Sequence, residues 1–213
     1  MGTGPEIVGT GPGFVGTGPC MVLELPAYGS IFVVFRSQQA TSLPWGKRRL
    51  AASGMPMPGP WNVTFNPAWG GSAAPVTFDS LVDWITRPEP GIRHYSGTAI
   101  YRTTFDAPSG WKPGEPLQID LGTVHEVADV LVNGKLAGTA WTAPYAVTAS
   151  NIKEKGNTLE VRVTNLWPNR LIYDAGLPEG ERLTRTNINP YKSGDSLLPS
   201  GLLGSVQIRM FVR

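Results

Sequence analysis

The chain has 213 residues, 41% hydrophobic and 16% charged, enough to bury one sizeable core without a stapling cofactor. A net charge of +2 gives no electrostatic case for nucleic acid or an anionic membrane, and no apolar run reaches the ~18 residues of a membrane span. The single cysteine, Cys20, excludes an intrachain disulfide and a cysteine-rich zinc site.

Residues 1–22 hold three copies of a heptad, GTGPEIV, GTGPGFV and GTGPCMV. Gly-Thr-Gly-Pro cannot continue a helix, so this segment reads as an extended or disordered lead-in rather than a coiled coil. Residues 23–36 follow, and their run Ile31-Phe32-Val33-Val34-Phe35 is apolar enough for a strand buried on both faces. The next residues turn polar and then rich in Pro, Gly and Met. Residues 23–58 therefore read as the strand remnant of a preceding domain plus a linker. Lys47-Arg48-Arg49 in that linker is the one basic run, and it reads as a solvated stretch.

From residue 59 to 213 the chain reads as short strands punctuated by turns. Over 95–106, Ala99, Tyr101, Thr103 and Phe105 fall on one face and Ile100, Arg102 and Thr104 on the other. The same two-residue period sets Leu117, Ile119 and Leu121 against Gln118 and Asp120. It recurs at Leu159, Val161 and Val163, and at Val206, Ile208, Met210 and Val212. Val130-Leu131-Val132 runs into Asn133-Gly134, the dipeptide suited to a type I′ hairpin turn. Only Asn151 to Lys155 is expected to form a helical turn. One wet and one dry face per strand indicates antiparallel sheets, and two such sheets must stack to bury their dry faces. The expected fold is all-β, an antiparallel β-sandwich with a short N-terminal extension.

Signals for catalysis are sparse. His94 and His125 sit in no metal-ligand spacing, and no GxSxG elbow occurs. Asp174, Glu179 and Glu181 share one expected loop, whereas a glycosidase needs two carboxyls held ~5 to 10 Å apart across a sugar. No metal site is expected, although a structural calcium at Asp120, Asp129 or Asp195 stays open. The seven tryptophans say more. Trp69, Trp141 and Trp167 lie in loops flanked by Gly or Pro, outside the alternating cores. A flat indole beside Asn, Asp or Arg matches the C–H patches and hydroxyls of a sugar. Each could equally plug an end of the sandwich.

The motifs WNVTFNPAWGG (61–71), PVTFDSLVDWITRPEPGIRHYSGTAIYRTTF (75–105) and LGTVHEVADVLVNGKLAGTAWTAPY (121–145) occur in this order, followed by GNTLEVRVTNLWPNRLIYD (156–174) and NPYKSGDSLLPSGLLGSV (189–206). Together they resemble the C-terminal galactose-binding-like domain of the α-L-rhamnosidases of glycoside hydrolase family 106. More distantly they are similar to the sugar-binding domain of family 2 glycosidases. With residues 23–36, similar to the stretch that closes the preceding β domain, the resemblance covers residues 23–213. It implies a jelly roll whose catalytic carboxylates belong to a separate upstream (β/α)-barrel. The implied role is non-catalytic carbohydrate binding, on a rhamnose-containing glycan or plant cell-wall polysaccharide. It needs no cofactor and has an extracellular or periplasmic setting, with a catalytic glycosidase domain as partner in a longer parent.

In that role a sugar stacks on Trp141 or Trp167, while Asn169, Arg170 and Tyr145 orient its hydroxyls. Tyr95, Arg102 and Tyr191 complete the rim. Two alternatives stand beside it. A purely structural domain would bury the same indoles and have no groove. A small standalone carbohydrate-active enzyme would work through His94, Tyr95, Asp174, Glu179 or Glu181.

Overall fold

The structure is a computed structural model that describes Ser30 and residues 49–212. The chain divides into two compact units, 1–46 and 47–213, and all the elements below belong to the second. The expected lead-in of residues 1–22, the strand at 31–35 and Trp45 lie outside the described residues.

Thirteen strands follow in chain order: β1 (Arg49–Leu50), β2 (Met55–Pro56), β3 (Trp61–Thr64), β4 (Val76–Phe78), β5 (Thr98–Phe105), β6 (Leu117–Asp120), β7 (Thr123–His125), β8 (Val127–Val132), β9 (Lys135–Ala140), β10 (Ala146–Ala149), β11 (Asn157–Thr164), β12 (Gly201–Gly204) and β13 (Gln207–Val212). Two helices interrupt them, α1 (Pro90–Arg93) and α2 (Pro168–Ala175). The larger sheet has the order β4-β3-β5-β11-β8-β9. A second runs β1-β13-β6-β10, with β2 also on β13, and β12 pairs with β7. Every pair of named strands is antiparallel.

The alternating residues of both sheets meet in a single apolar core. Trp61, Val63, Ala99, Tyr101, Phe105, Val130, Leu159, Val161 and Val163 come from the first sheet, and Leu117, Ile119, Val147, Ala149 and Ile208 from the second. The expected antiparallel sandwich is thus the observed one. Asn133 and Gly134 have φ of 50° and 76°, the left-handed pair that a type I′ turn between β8 and β9 requires.

Two expectations need correction. Residues 49–50 and 55–56, assigned to a linker, add strands to β13. The helical turn expected at Asn151 to Lys155 is absent, and α2 forms instead where a loop was expected. Asparagines explain the first half of that exchange. Asn157 Oδ1 accepts from the Lys153 N–H, and Asn133 Nδ2 donates to the Asn151 carbonyl. These side chains satisfy the 151–157 backbone in a loop, removing the need for helical bonds. Pro168 explains the second half, since proline is favoured in the first helical turn.

Candidate functional site

Strand register gathers most of the long loops at one end of the sandwich. Thr98 pairs with Thr164, Thr164 with Val127, and Ala128 with Ala140. The segments 65–75, 94–97, 121–126, 141–145 and 165–200 therefore all leave the larger sheet at that end, and they carry Trp69, Trp141 and Trp167. These three indoles are 40%, 71% and 57% exposed, while Trp61 and Trp84 are wholly buried. Three exposed indoles thus share one end of the sandwich.

Two of them meet. Asn66 caps a short 3₁₀ turn at Pro67–Trp69 by accepting from the Ala68 N–H, and Gly70 closes it with φ 79°. Trp167 stands at the N-terminus of α2, its ring centroid 6.1 Å from that of Trp69 with the planes at 64°. Beside this edge-to-face pair lies a notch of about 210 Å³, lined by both indoles and by Ser96, Gly97, Thr98, Arg170 and Thr184. Gly70 follows Trp69 with φ 79°, a left-handed conformation that L side chains rarely adopt, and a Cβ there would also crowd Arg170 Nη1 at 2.6 Å.

Behind the notch sits a buried ion pair. Arg170 Nη2 donates to Asp174 Oδ1 at 2.5 Å, with the two side chains 6% and 2% exposed. Asp174 Oδ2 also accepts from Thr184 Oγ1, from the Thr184 N–H and from the Leu183 N–H. Burial pushes its pKa up, but the hydrogen bonds from Thr184 and Arg170 outweigh that and hold it below the ordinary carboxylate range. The carboxylate is therefore ionised at neutral pH and has no proton to give. Arg170 Nε is buried without an acceptor among the described residues, an unspent donor on a residue that lines the notch.

The expected site residues divide accordingly. Trp167 and Arg170 come together in the notch. Trp141 and Tyr145 lie at the same end, on the loop between β9 and β10, outside the notch lining. Tyr145 packs half-buried against the core. Tyr191 is half-buried in the long connection before β12. Tyr95 is corrected from rim to core. It is fully buried against Phe65 and Trp84, and its hydroxyl accepts from the Asn66 N–H and donates to the Thr98 carbonyl. Asn169 is corrected likewise. It is 1% exposed, donates to the Leu198 carbonyl and Ser200 Oγ, and accepts from the Leu198 N–H. Both side chains anchor loops, because helical periodicity turns Asn169 inward while Trp167 faces out. Arg102 lies elsewhere, on the outward face of the larger sheet.

That face forms a broad groove of about 830 Å³, lined by residues of β3, β4, β5, β8 and β11. At its centre Arg102 Nε and Arg162 Nε donate to the two oxygens of Glu160, at 2.8 and 2.7 Å. Neither hollow has two carboxyls in its lining. The notch has none and the groove has Glu160 alone. Glu179 and Glu181 are exposed on a 3₁₀ turn. His94 stacks on Tyr173 at 4.5 Å, and desolvation, with the charges of Arg93 and Arg170 adding to it, lowers its pKa and keeps it neutral at pH 7. Among the described residues no three His, Cys, Asp or Glu side chains cluster to hold a metal ion, and no helix is long and apolar enough to cross a membrane.

No family model matches the chain. It is 38% identical over 179 residues to a Formosa agariphila protein named "Putative beta-glucuronidase", a match covering 72% of this chain and 15% of that protein. The structure of a rhamnosidase from Novosphingobium sp. PP1Y superposes with a TM-score of 0.66 at 34% identity, over 82% of this chain and 16% of the other. Its relatives are glycosidases. The apo β-glucuronidase of Ruminococcus gnavus shares the fold, with a TM-score of 0.53 at 20% identity over 78% of this chain and 29% of that one. The chain thus spans about a sixth of the length of the glycosidases it matches at above 30% identity. It is a glycosidase-associated β-sandwich, corresponding to one part of much larger proteins.

Proposed function

We propose that this chain is a non-catalytic carbohydrate-binding domain of a larger glycosidase, taking a sugar ring in the notch beside the Trp69–Trp167 pair. The observation that carries the reading is this exposed pair of indoles, packed edge to face at 64° beside a hollow walled by Arg170. One indole face stacks on the C–H patch of a pyranose and the other closes its edge. Arg170, held from behind by Asp174, walls the hollow and fixes its shape. At about 210 Å³ the notch admits a single ring, well below the ~300 Å³ where drug-sized sites begin. Binding is correspondingly weak. The rhamnosidase and β-glucuronidase names of the relatives favour a rhamnose-containing or uronate-containing glycan, met outside the cell or in the periplasm. The catalytic carboxylates would be supplied by another part of the parent.

Affinity gel electrophoresis against a panel of plant and algal polysaccharides, with product assays on the same mixtures, tests this. Retardation on at least one polymer without released sugar is expected. Trp167→Ala or Trp69→Ala should weaken it about tenfold. Released sugar would overturn the non-catalytic reading, and retardation indifferent to both substitutions would remove the notch.

A second reading rests on a different observation. Leu166, Leu183, Ile188 and Leu198 are 50%, 42%, 81% and 41% exposed in the segment 165–200. Branched aliphatic side chains suit a protein surface better than a hydroxylated ring. In that reading the loop end docks onto another domain of the parent, and no polysaccharide retards the chain.

A further inference from the structure

The groove on the larger sheet shares no lining residue with the notch and carries chemistry of its own. Strand register brings that chemistry into one row. Thr77 stands opposite Asn62, Asn62 opposite Arg102, Arg102 opposite Glu160, and Glu160 opposite Leu131. Arg162 lies two residues along β11 from Glu160, on the same outward face.

One carboxylate thus faces two guanidinium groups, and the charged side chains of the groove lining sum to +1. Desolvation raises the Glu160 pKa, but bonds from Arg162 and Arg102 outweigh it and hold the group below its ordinary range. It is fully ionised at neutral pH, so one positive charge is left over. The arginines are also oriented. Each turns its Nε toward Glu160, which leaves the edge formed by its two Nη atoms for another acceptor. Arg102 Nη1 has only a long 3.5 Å approach to Thr64 Oγ1, and the Nη atoms of Arg162 meet no acceptor among the described residues. Both side chains remain nearly half exposed, at 47% and 46%.

A guanidinium edge of this kind pairs with a planar oxyanion through two parallel N–H bonds. Asn62, Thr77, Thr104 and Thr158 surround it in the lining with amide and hydroxyl groups suited to sugar hydroxyls. Hydroxyl partners with one surplus charge describe a saccharide bearing an anion better than a neutral one or a bare polyanion. We propose that this groove is a second saccharide site, in which Arg102 and Arg162 bind the anionic group of an acidic sugar, a uronate carboxylate or a sulfate ester.

The test is isothermal titration calorimetry on the full chain with tetragalacturonate, its neutral galactose counterpart, a sulfated galactan tetrasaccharide and inorganic polyphosphate. One of the two anionic tetrasaccharides should bind, and which one does so assigns the anion. The neutral counterpart should bind at least about tenfold more weakly, and Arg162→Gln should cost about tenfold for the anionic ligand. Arg162→Gln leaves Glu160 paired with Arg102, so the melting temperature should hardly change. Glu160→Gln removes the competing carboxylate and should tighten binding severalfold. Trp167→Ala should leave this affinity unchanged, so the groove stands or falls independently of the notch. Silence with both anionic tetrasaccharides, indifference to Arg162→Gln, or equally tight binding of polyphosphate would each overturn the proposal. Loss of all binding in Trp167→Ala would likewise overturn it and return the ligand to the notch.

Discussion

Asp174→Ala is expected to lower stability by about 3–5 kcal/mol, because it leaves the Arg170 guanidinium buried with no countercharge. It also strips the acceptor from the Thr184 hydroxyl and from the N–H groups of Leu183 and Thr184. Those bonds tie the start of the 183–200 connection to α2, and Thr184 is part of the notch wall. The variant should therefore lose saccharide retention even under conditions where it remains folded. The effect has a pH signature with a definite sign. The folded pKa of Asp174 is depressed, so its contribution is present above the ordinary Asp value of about 3.9 and is lost as pH falls through the lower folded value. Urea midpoints measured from pH 7 to pH 2.5 should fall in the wild type below about pH 4 and run flatter in Asp174→Ala. Equal slopes for the two proteins would rule out the ion pair as the acid-sensitive element.

Tyr101→Phe is the second large effect, at about 2–4 kcal/mol for the loss of a single oxygen. Tyr101 is fully buried in β5, and its hydroxyl accepts from Trp84 Nε1 at 2.5 Å and from the Leu202 N–H at 3.2 Å. Phenylalanine keeps the edge-to-face contacts with Trp61 and Phe78 but leaves both donors without an acceptor, in a place that water does not reach. Gly201 belongs to the same arrangement. It has φ 106°, and a Cβ there would run into the Trp84 indole, so Trp84 sits hard against the start of β12. Urea unfolding at pH 7 measures the loss, and a change under 1 kcal/mol would show that the two donors have found other partners.

Period-two patterning carried most of the fold. The strands 98–105, 117–120 and 157–164 bury nearly all the residues that alternation assigns to the dry face, because a sheet with one wet side leaves its period in the sequence, whereas in 207–212 Ile208 alone is buried and Val212 is 41% exposed. Short strands at 49–50 and 55–56 leave no such trace, since two residues cannot show a period and only pairing with β13 makes them strands. Helix α2 was hidden for a related reason. Its eight residues hold Asn169, Arg170 and Asp174 among the buried positions, so the inward face reads as polar, and polar sequence reads as loop.

The candidate site was legible in its aromatics more than in its polar groups. Loop context marked Trp69, Trp141 and Trp167 alike, but the expected binding set took Trp141 and left out Trp69, the indole that meets Trp167 at the notch. Tyr95, Asn169 and Arg170 were read from residue type, and type alone does not distinguish a side chain facing a ligand from one holding a loop. The partners that fix them, Asn66, Ser200 and Asp174, lie 29, 31 and 4 residues away. Two of the three separations far exceed any local pattern.

Strand β13 joins β1, β2 and β6, so the second sheet is assembled around the residues made last among those described. The larger sheet is complete in sequence at Thr164, about forty residues earlier. During synthesis its apolar face must wait roughly 2–8 s, at ~5–20 residues/s, for the strand that lets the opposing sheet cover it. Over that interval the nascent chain presents Tyr101, Val130, Val161 and their neighbours to whatever binds oily surface at the ribosome exit. A ribosome that stalls or terminates before residue 207 delivers a half-sandwich fit for chaperones and proteases.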